Sequence, residues 1–388
     1  MTENRAPAAP NAGTLVTKAA ALSYRDLPAT ISNYISFRIP FRNYFTRQYV
    51  RIFEDGLSSY VKEYYKGYDG EFYPEGRDTF AVSNYLGLNS LPYARLCEAR
   101  AYIAGLQAWW EARGVYFLCV MVQDKTTVYP ELMPIRGRLE PRGVSWGESI
   151  ADVMRDTPVN FIDMSKILIR HKGEYKTFNR QYDLYHWNAY GIYLTYRTLC
   201  EALAPVMSTA PRGGEFYRIT EEEHNYDGIF DFELVPWMEI LEQDKLKVLS
   251  SDIDADIIRN TAKRGGAMLV MGDSYFNATH LSKLSGADNG TLPFAHSVNT
   301  YIGAHYSGIS AETMEFIHAT YKPTVVIFEF VERMYPTLAD CAAQNEFFVK
   351  MGDAYLNTPR SVNGENKFLL DKKILDGLYF PSSELSKR

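Results

Sequence analysis

What this chain has little of narrows its function before any motif is read. Its four cysteines, Cys97, Cys119, Cys200 and Cys341, stand far apart with no CxxC pair. Such spacing offers neither a zinc ribbon nor a dithiol redox centre. Ordinary buried cysteines are expected instead, Cys119 in its apolar run among them. The 7 histidines include no HExxH and no regular ligand spacing, so no metal and no cofactor is expected. No apolar run approaches the roughly 18 residues that a bilayer requires. The first twenty residues have neither a basic nor an apolar signal segment, so no export signal is expected in the chain as written. Lys and Arg (41) are outnumbered by Asp and Glu (47), the net charge is −6, and no basic block stands out, which argues against a nucleic-acid partner.

Aromatic residues are plentiful: 29 Tyr and 21 Phe. Aromatic faces pack well on sugar rings, although a large core with Tyr at its rim accounts for the same count. Residues 1–24 open with a Pro/Ala/Asn-rich stretch and are expected to be disordered, and residues 25–388 to form a single domain. A mostly helical lead-in is expected from about 25 to 65, followed by a Gly-punctuated turn in YYKGYDGEFYP. The spacing of Leu91, Leu96, Ala99, Ile103, Leu106 and Trp110 predicts a helix over 91–113, with Gly114 as its stop. Four short apolar runs, VYFLCVMVQ, VNFIDMS, AMLVMGDS and TVVIFEFVE, read as strands covered on both faces. Helices alternating with such strands predict a three-layer α/β/α sandwich on a mainly parallel sheet. The acidic, irregular stretch 205–250 reads as an insertion or lid.

Two segments can carry chemistry. In MLVMGDSYF an apolar strand runs into Gly272-Asp273-Ser274, placing Ser274 at the carboxyl end of a parallel strand, where open α/β sheets put their sites. In YDLYHWNAYG, Asp183 and His186 lie three residues apart just before a helix expected near Asn188. Either segment alone is weak, being a turn or a cap. Together they supply nucleophile (Ser274), base (His186) and orienting carboxylate (Asp183). The Ser274 backbone N–H is the natural first oxyanion donor; Tyr275, Asn277 and Asn299 are candidates for oxyanion or substrate contact. Lys125, Tyr129 and Arg333 are candidates for touching substrate, with Arg333 otherwise expected to pair with Glu332 or Asp273.

The order of the two blocks is informative: the Asp/His block precedes the serine, a circular permutation of the usual GDSL-esterase order. In this the chain resembles the SGNH-hydrolase-like O-acetyltransferases of the alginate type, the AlgJ/AlgX group. Further segments resemble that family in matching order: NYISFRIPFRNYF, Gly67 to Tyr73, RGVYFLCVMVQDKTTVYPELMP and VVIFEFVERMYP. Asp183 departs from the family's Asp-x-His, and Gln123-Asp124-Lys125 stands where the family writes PNK. The resemblance implies an SGNH-like fold and an acetyl transfer through Ser274 to an exopolysaccharide, alginate- or cellulose-like, of the kind found in biofilms. It further implies a membrane-bound O-acyltransferase as donor partner and a periplasmic location. A carbohydrate acetyl esterase with the same triad and a non-catalytic polysaccharide-binding protein are the alternatives.

Overall fold

The apolar runs assemble into one five-stranded parallel sheet. A computed structural model describes residues 60–61, 64–75, 80–89, 91–133, 142–178, 185–206, 218–224, 246–252, 267–276, 300–305, 310–358, 369–370 and 376–378. The expected disordered segment 1–24 and most of the helical lead-in lie outside these residues; the part of the lead-in that is described is extended, not helical. There β1 (Tyr60–Val61), β2 (Tyr64–Lys66) and β3 (Phe72–Pro74) form a small antiparallel sheet, with a turn at Tyr68–Gly70. The remaining strands are β4 (Tyr116–Val122), β5 (Phe161–Asp163), β6 (Arg218–His224), β7 (Leu246–Asp252), β8 (Ala267–Gly272), β9 (Thr300–His305) and β10 (Pro323–Val331). The parallel sheet runs β5-β4-β10-β8-β9, so the last strand in sequence lies at its centre. The stretch read as an irregular insertion contains β6 and the start of β7, an antiparallel pair in a sheet of its own.

Period-two alternation is hidden inside β4 because both faces are covered. Tyr116, Leu118, Val120 and Val122 face the core beneath the Ala189–Leu203 helix, whereas Phe117, Cys119 and Met121 face the opposite core. That second core is closed by helices Tyr93–Glu111, Trp146–Met154, Ala311–Tyr321, Tyr335–Gln344 and Glu346–Asn357. Continuous hydrophobicity is therefore the expected pattern of a strand in the middle layer. The helix predicted over 91–113 spans Tyr93–Glu111. It starts after Pro92, which has no N–H to contribute, and Gly114 takes the left-handed conformation (φ 74°) beyond its end.

That helix is apolar on nearly all sides because it is sandwiched between the sheet and the Glu346–Asn357 helix. The two helices meet backbone to backbone: a Cβ on Gly105 would lie 1.9 Å from the Phe348 carbonyl oxygen, and one on Gly352 would lie 1.7 Å from that of Ala101. Neither helix can yield, since the sheet supports one of them. Gly352→Val should therefore cost about 3 kcal/mol, read as a lowered urea midpoint. Gly173→Ala, where an added Cβ meets nothing within 4 Å, should shift it by less than about 0.5 kcal/mol.

Candidate active site

Ser274 follows β8 in a turn closed by the Phe276 N–H on the Asp273 carbonyl (3.3 Å). The turn is held from beneath by side chains. Asp273 caps it twice: Oδ1 accepts from the Tyr275 N–H (2.9 Å) and Oδ2 from the Val331 N–H of β10 (2.9 Å). Glu329 Oε2, also from β10, accepts the Asp273 N–H at 3.0 Å. Gly272 is required here, since a Cβ would lie 2.7 Å from that oxygen. The Ser274 N–H has no acceptor among the described residues, so it is available to a developing oxyanion.

His186 arrives from the other end of the sequence. Asn188 caps the Ala189–Leu203 helix, its Oδ1 accepting from the N–H groups of Tyr190 (3.0 Å) and Gly191 (3.1 Å), while its own N–H donates to the Thr177 carbonyl (2.9 Å). Trp187 bridges to Phe178 and packs against Tyr275 and Phe276. With both neighbours fixed, the His186 ring lies against Tyr275 (centroids 5.1 Å apart) and its Nε2 stands 2.8 Å from Ser274 Oγ. Residues 88 apart in sequence thus form a serine–histidine contact at the carboxyl edge of the sheet. Asp183, Asn277 and Asn299 lie outside the described residues.

Beneath this pair is a buried ionic layer that the sequence disclosed only in part. Arg333 pairs with Asp124 Oδ1 and donates to the Tyr275 hydroxyl (3.2 Å) and the Tyr185 carbonyl (3.2 Å). It joins the nucleophile turn to the residue before His186, and its partner is Asp124, not the expected Glu332 or Asp273. The Asp124 N–H donates to Glu332 Oε1 at 2.8 Å, and the Thr127 hydroxyl donates to the same oxygen. Burial opposes the Arg333 charge, but Asp124 and then Tyr275 beside it hold its pKa above the ordinary guanidinium value. Burial raises Asp124 despite Arg333, and His186 acts on it in the opposite direction. Glu329 is pushed well above the carboxylate range by burial and then by Asp273; Glu332 is pushed up to about 8 by burial and then by Asp124. Burial thus raises three acids of the layer, Glu329, Glu332 and Asp124, around the single Arg333 guanidinium. One internal clue to Glu329 was legible: it is the sole acid within the strand of the TVVIFEFVE run.

Three other candidates are corrected by their surroundings. Lys125 is fully buried, its Nζ 2.6 Å from Glu71 Oε2, and Lys176 holds the other oxygen of that carboxylate. Burial raises Glu71, but the two lysines keep it below the usual carboxylate range. The Tyr129 hydroxyl is buried on the Thr177 N–H (2.8 Å) and hydroxyl (3.2 Å), and the Tyr129 carbonyl accepts from Tyr73 (2.7 Å). Both residues tie the β2–β3 hairpin to the domain and offer nothing to a substrate. Tyr275 supplies a buried wall: its N–H and hydroxyl are taken by Asp273 and Arg333. Among the described residues no group of three His, Cys, Asp or Glu could hold a metal ion.

A parallel sheet carrying a Ser–His contact at its carboxyl edge, after a Gly-Asp-Ser turn, defines an SGNH-hydrolase-like fold. The family described as "SGNH hydrolase-like domain, acetyltransferase AlgX" matches residues 85–279, half of the chain, and the chain belongs to that family. Among solved structures, the O-acetyltransferase domain of Pseudomonas putida AlgJ is 16% identical, with 75% of this chain and 99% of that one covered and a TM-score of 0.47. Pseudomonas aeruginosa AlgX is 14% identical, covering 77% and 69% with a TM-score of 0.46. Bacillus cereus PatB1 is 12% identical, covering 63% and 92% with a TM-score of 0.43. No curated protein matches the sequence significantly.

Glu332 gives the layer a measurable pH signature. In the folded chain its carboxyl stays protonated up to about pH 8, whereas its ordinary value is 4.5, so unfolding between these values releases a proton. Stability should therefore fall as pH rises through that window. Glu332→Gln should flatten the fall by up to about 1.4 kcal/mol per pH unit, measured by urea unfolding at several pH values.

Proposed function

We propose that the chain transfers an acetyl group through a Ser274 acyl-enzyme to hydroxyls of an exopolysaccharide, alginate- or cellulose-like. The observation that supports this most directly is the 2.8 Å contact between His186 Nε2 and Ser274 Oγ, in a chain of the acetyltransferase family. Ser274 Oγ attacks the acetyl carbonyl as its proton passes to His186 Nε2; the carbonyl π pair moves to oxygen, opposite the Ser274 N–H. The oxyanion collapses, the bond to the leaving group breaks, and His186 returns the proton to the departing oxygen. A sugar hydroxyl then repeats the cycle, losing its proton to His186 and attacking the acetyl-serine. Asp183 is assigned to His186 Nδ1 on spacing and steadies the imidazolium at both stages.

A membrane-bound O-acyltransferase is proposed as the acetyl source, in the periplasm. No helix of the described residues is long and apolar enough to cross a membrane.

Incubating the protein with a chromogenic acetyl ester and glycan oligomers should yield acetylated Ser274 and acetyl-oligosaccharide, both read by mass spectrometry. Ser274→Ala and His186→Ala should each lower turnover by about 10³-fold or more. Serine-dependent hydrolysis with no transfer to glycan would make the protein an esterase. Turnover that survives Ser274→Ala would sink the dyad.

A further inference from the structure

A cavity of about 290 Å³ lies along the same sheet edge, next to the catalytic pair and separate from it. It runs from Asp163 at the end of β5 to Glu332 just after β10. Its far wall is thus three strand spacings, about 14 Å, from Ser274 after β8. Its mouth opens where Arg142 and Glu148 stand exposed.

The wall is rich in hydrogen-bond acceptors and poor in donors. Asp163 Oδ1 is occupied by Gln123 Nε2 (2.6 Å) and the Ser165 N–H (2.9 Å), and Glu332 Oε1 by Asp124 and Thr127. The second oxygen of each carboxyl, and Oε1 of the buried Gln123, have no hydrogen-bond partner among the described residues. Of the described residues lining the cavity only Arg142 is cationic. It is already engaged by Glu148 (2.8 Å) and the Tyr85 carbonyl (3.1 Å). Met121, Ala151 and Ile169 supply apolar surface.

Three unpartnered acceptors around one space call for a ligand that donates several hydrogen bonds at once. We propose that this cavity is an acceptor subsite, holding one neutral, hydroxyl-rich pyranose ring of the polysaccharide and rejecting a uronate ring. The inference rests on the acyl-transfer reading above and narrows its substrate. Ligand pockets start near 300 Å³, so about one ring fits and the rest of the chain continues past the mouth. A uronate carboxylate would meet the carboxylate of Glu148, which, despite partial burial, its hydrogen bonds and Arg142 hold below the ordinary range, and Arg142 is already taken by that same group. A neutral ring brings only hydroxyls. Carboxyls held by burial above their ordinary range can both accept from these hydroxyls and donate to them.

The test uses the full chain, a neutral β-gluco-tetrasaccharide and an oligouronate of equal length, with binding followed by titration calorimetry. The neutral oligomer should bind and the uronate should bind at least about tenfold more weakly. Ala151→Phe and Ile169→Trp, which fill the cavity from two different helices, should each weaken the neutral oligomer about tenfold and raise its KM as acceptor by a similar factor. Both should leave Ser274-dependent hydrolysis of a small acetyl ester within about twofold of the parent. No binding of the neutral oligomer, equal binding of the uronate, or unchanged affinity in both variants would overturn the subsite. If the binding pattern holds but the parent shows no Ser274-dependent ester turnover, the acyl-transfer reading fails and the subsite stands.

Discussion

The Arg333–Asp124 pair is the contact on which the Ser274–His186 edge of the sheet depends. A guanidinium and a carboxylate taken out of water are costly unless each satisfies the other and their remaining hydrogen bonds are met. Here Arg333 also reaches Tyr275 and the Tyr185 carbonyl, while Asp124 is fastened through its N–H to Glu332. One ion pair therefore fixes four segments: the end of β4, the end of β10, the turn after β8 and the loop before the Ala189–Leu203 helix. Removing either partner would leave a buried charge uncompensated and would loosen the segments carrying Ser274 and His186 at once.

The charge state of that layer follows from burial. Burial beside other acids pushes Glu329 and Glu332 toward the neutral form. Neutral Glu329 can stand against Gly272 and accept the Asp273 N–H without placing a bare charge in the interior. The nucleophile's turn is thus braced by side chains from β10, while the serine itself remains partly exposed.

Much of this was legible in the sequence. Continuous apolar runs marked β4, β8 and β10, because a strand covered on both faces needs no polar alternation. GDS at a strand end and His186 before an Asn-capped helix marked the two sides of the catalytic contact. The rest was hidden for a physical reason: a charged residue in a single sequence is read as exposed by default, and only the fold reveals its partner. Lys125 looked like a cation free to touch substrate because Glu71 lies 54 positions away, and Arg333 was assigned to Glu332 beside it or to Asp273 when its partner, Asp124, was 209 positions distant. Asp273 and Glu329 were overlooked as braces of the Ser274 turn for the same reason. The short β6–β7 pair escaped notice because the acidic stretch around it lacks the apolar period of a core strand.

The position of β10 has a consequence for how the protein is made. Among the described strands, the one at the centre of the sheet is the last to leave the ribosome, so β4 with β5 and β8 with β9 emerge as separate halves with no common edge. Their inner edges stay unpaired until residues 323–331 arrive between them. Such long-range parallel pairing is slow and leaves open strand edges exposed in the interval. Because Arg333 immediately follows β10, the same late segment that joins the halves also brings Ser274 and His186 into register. Synthesis thus withholds the Ser274–His186 contact until most of the chain has been translated.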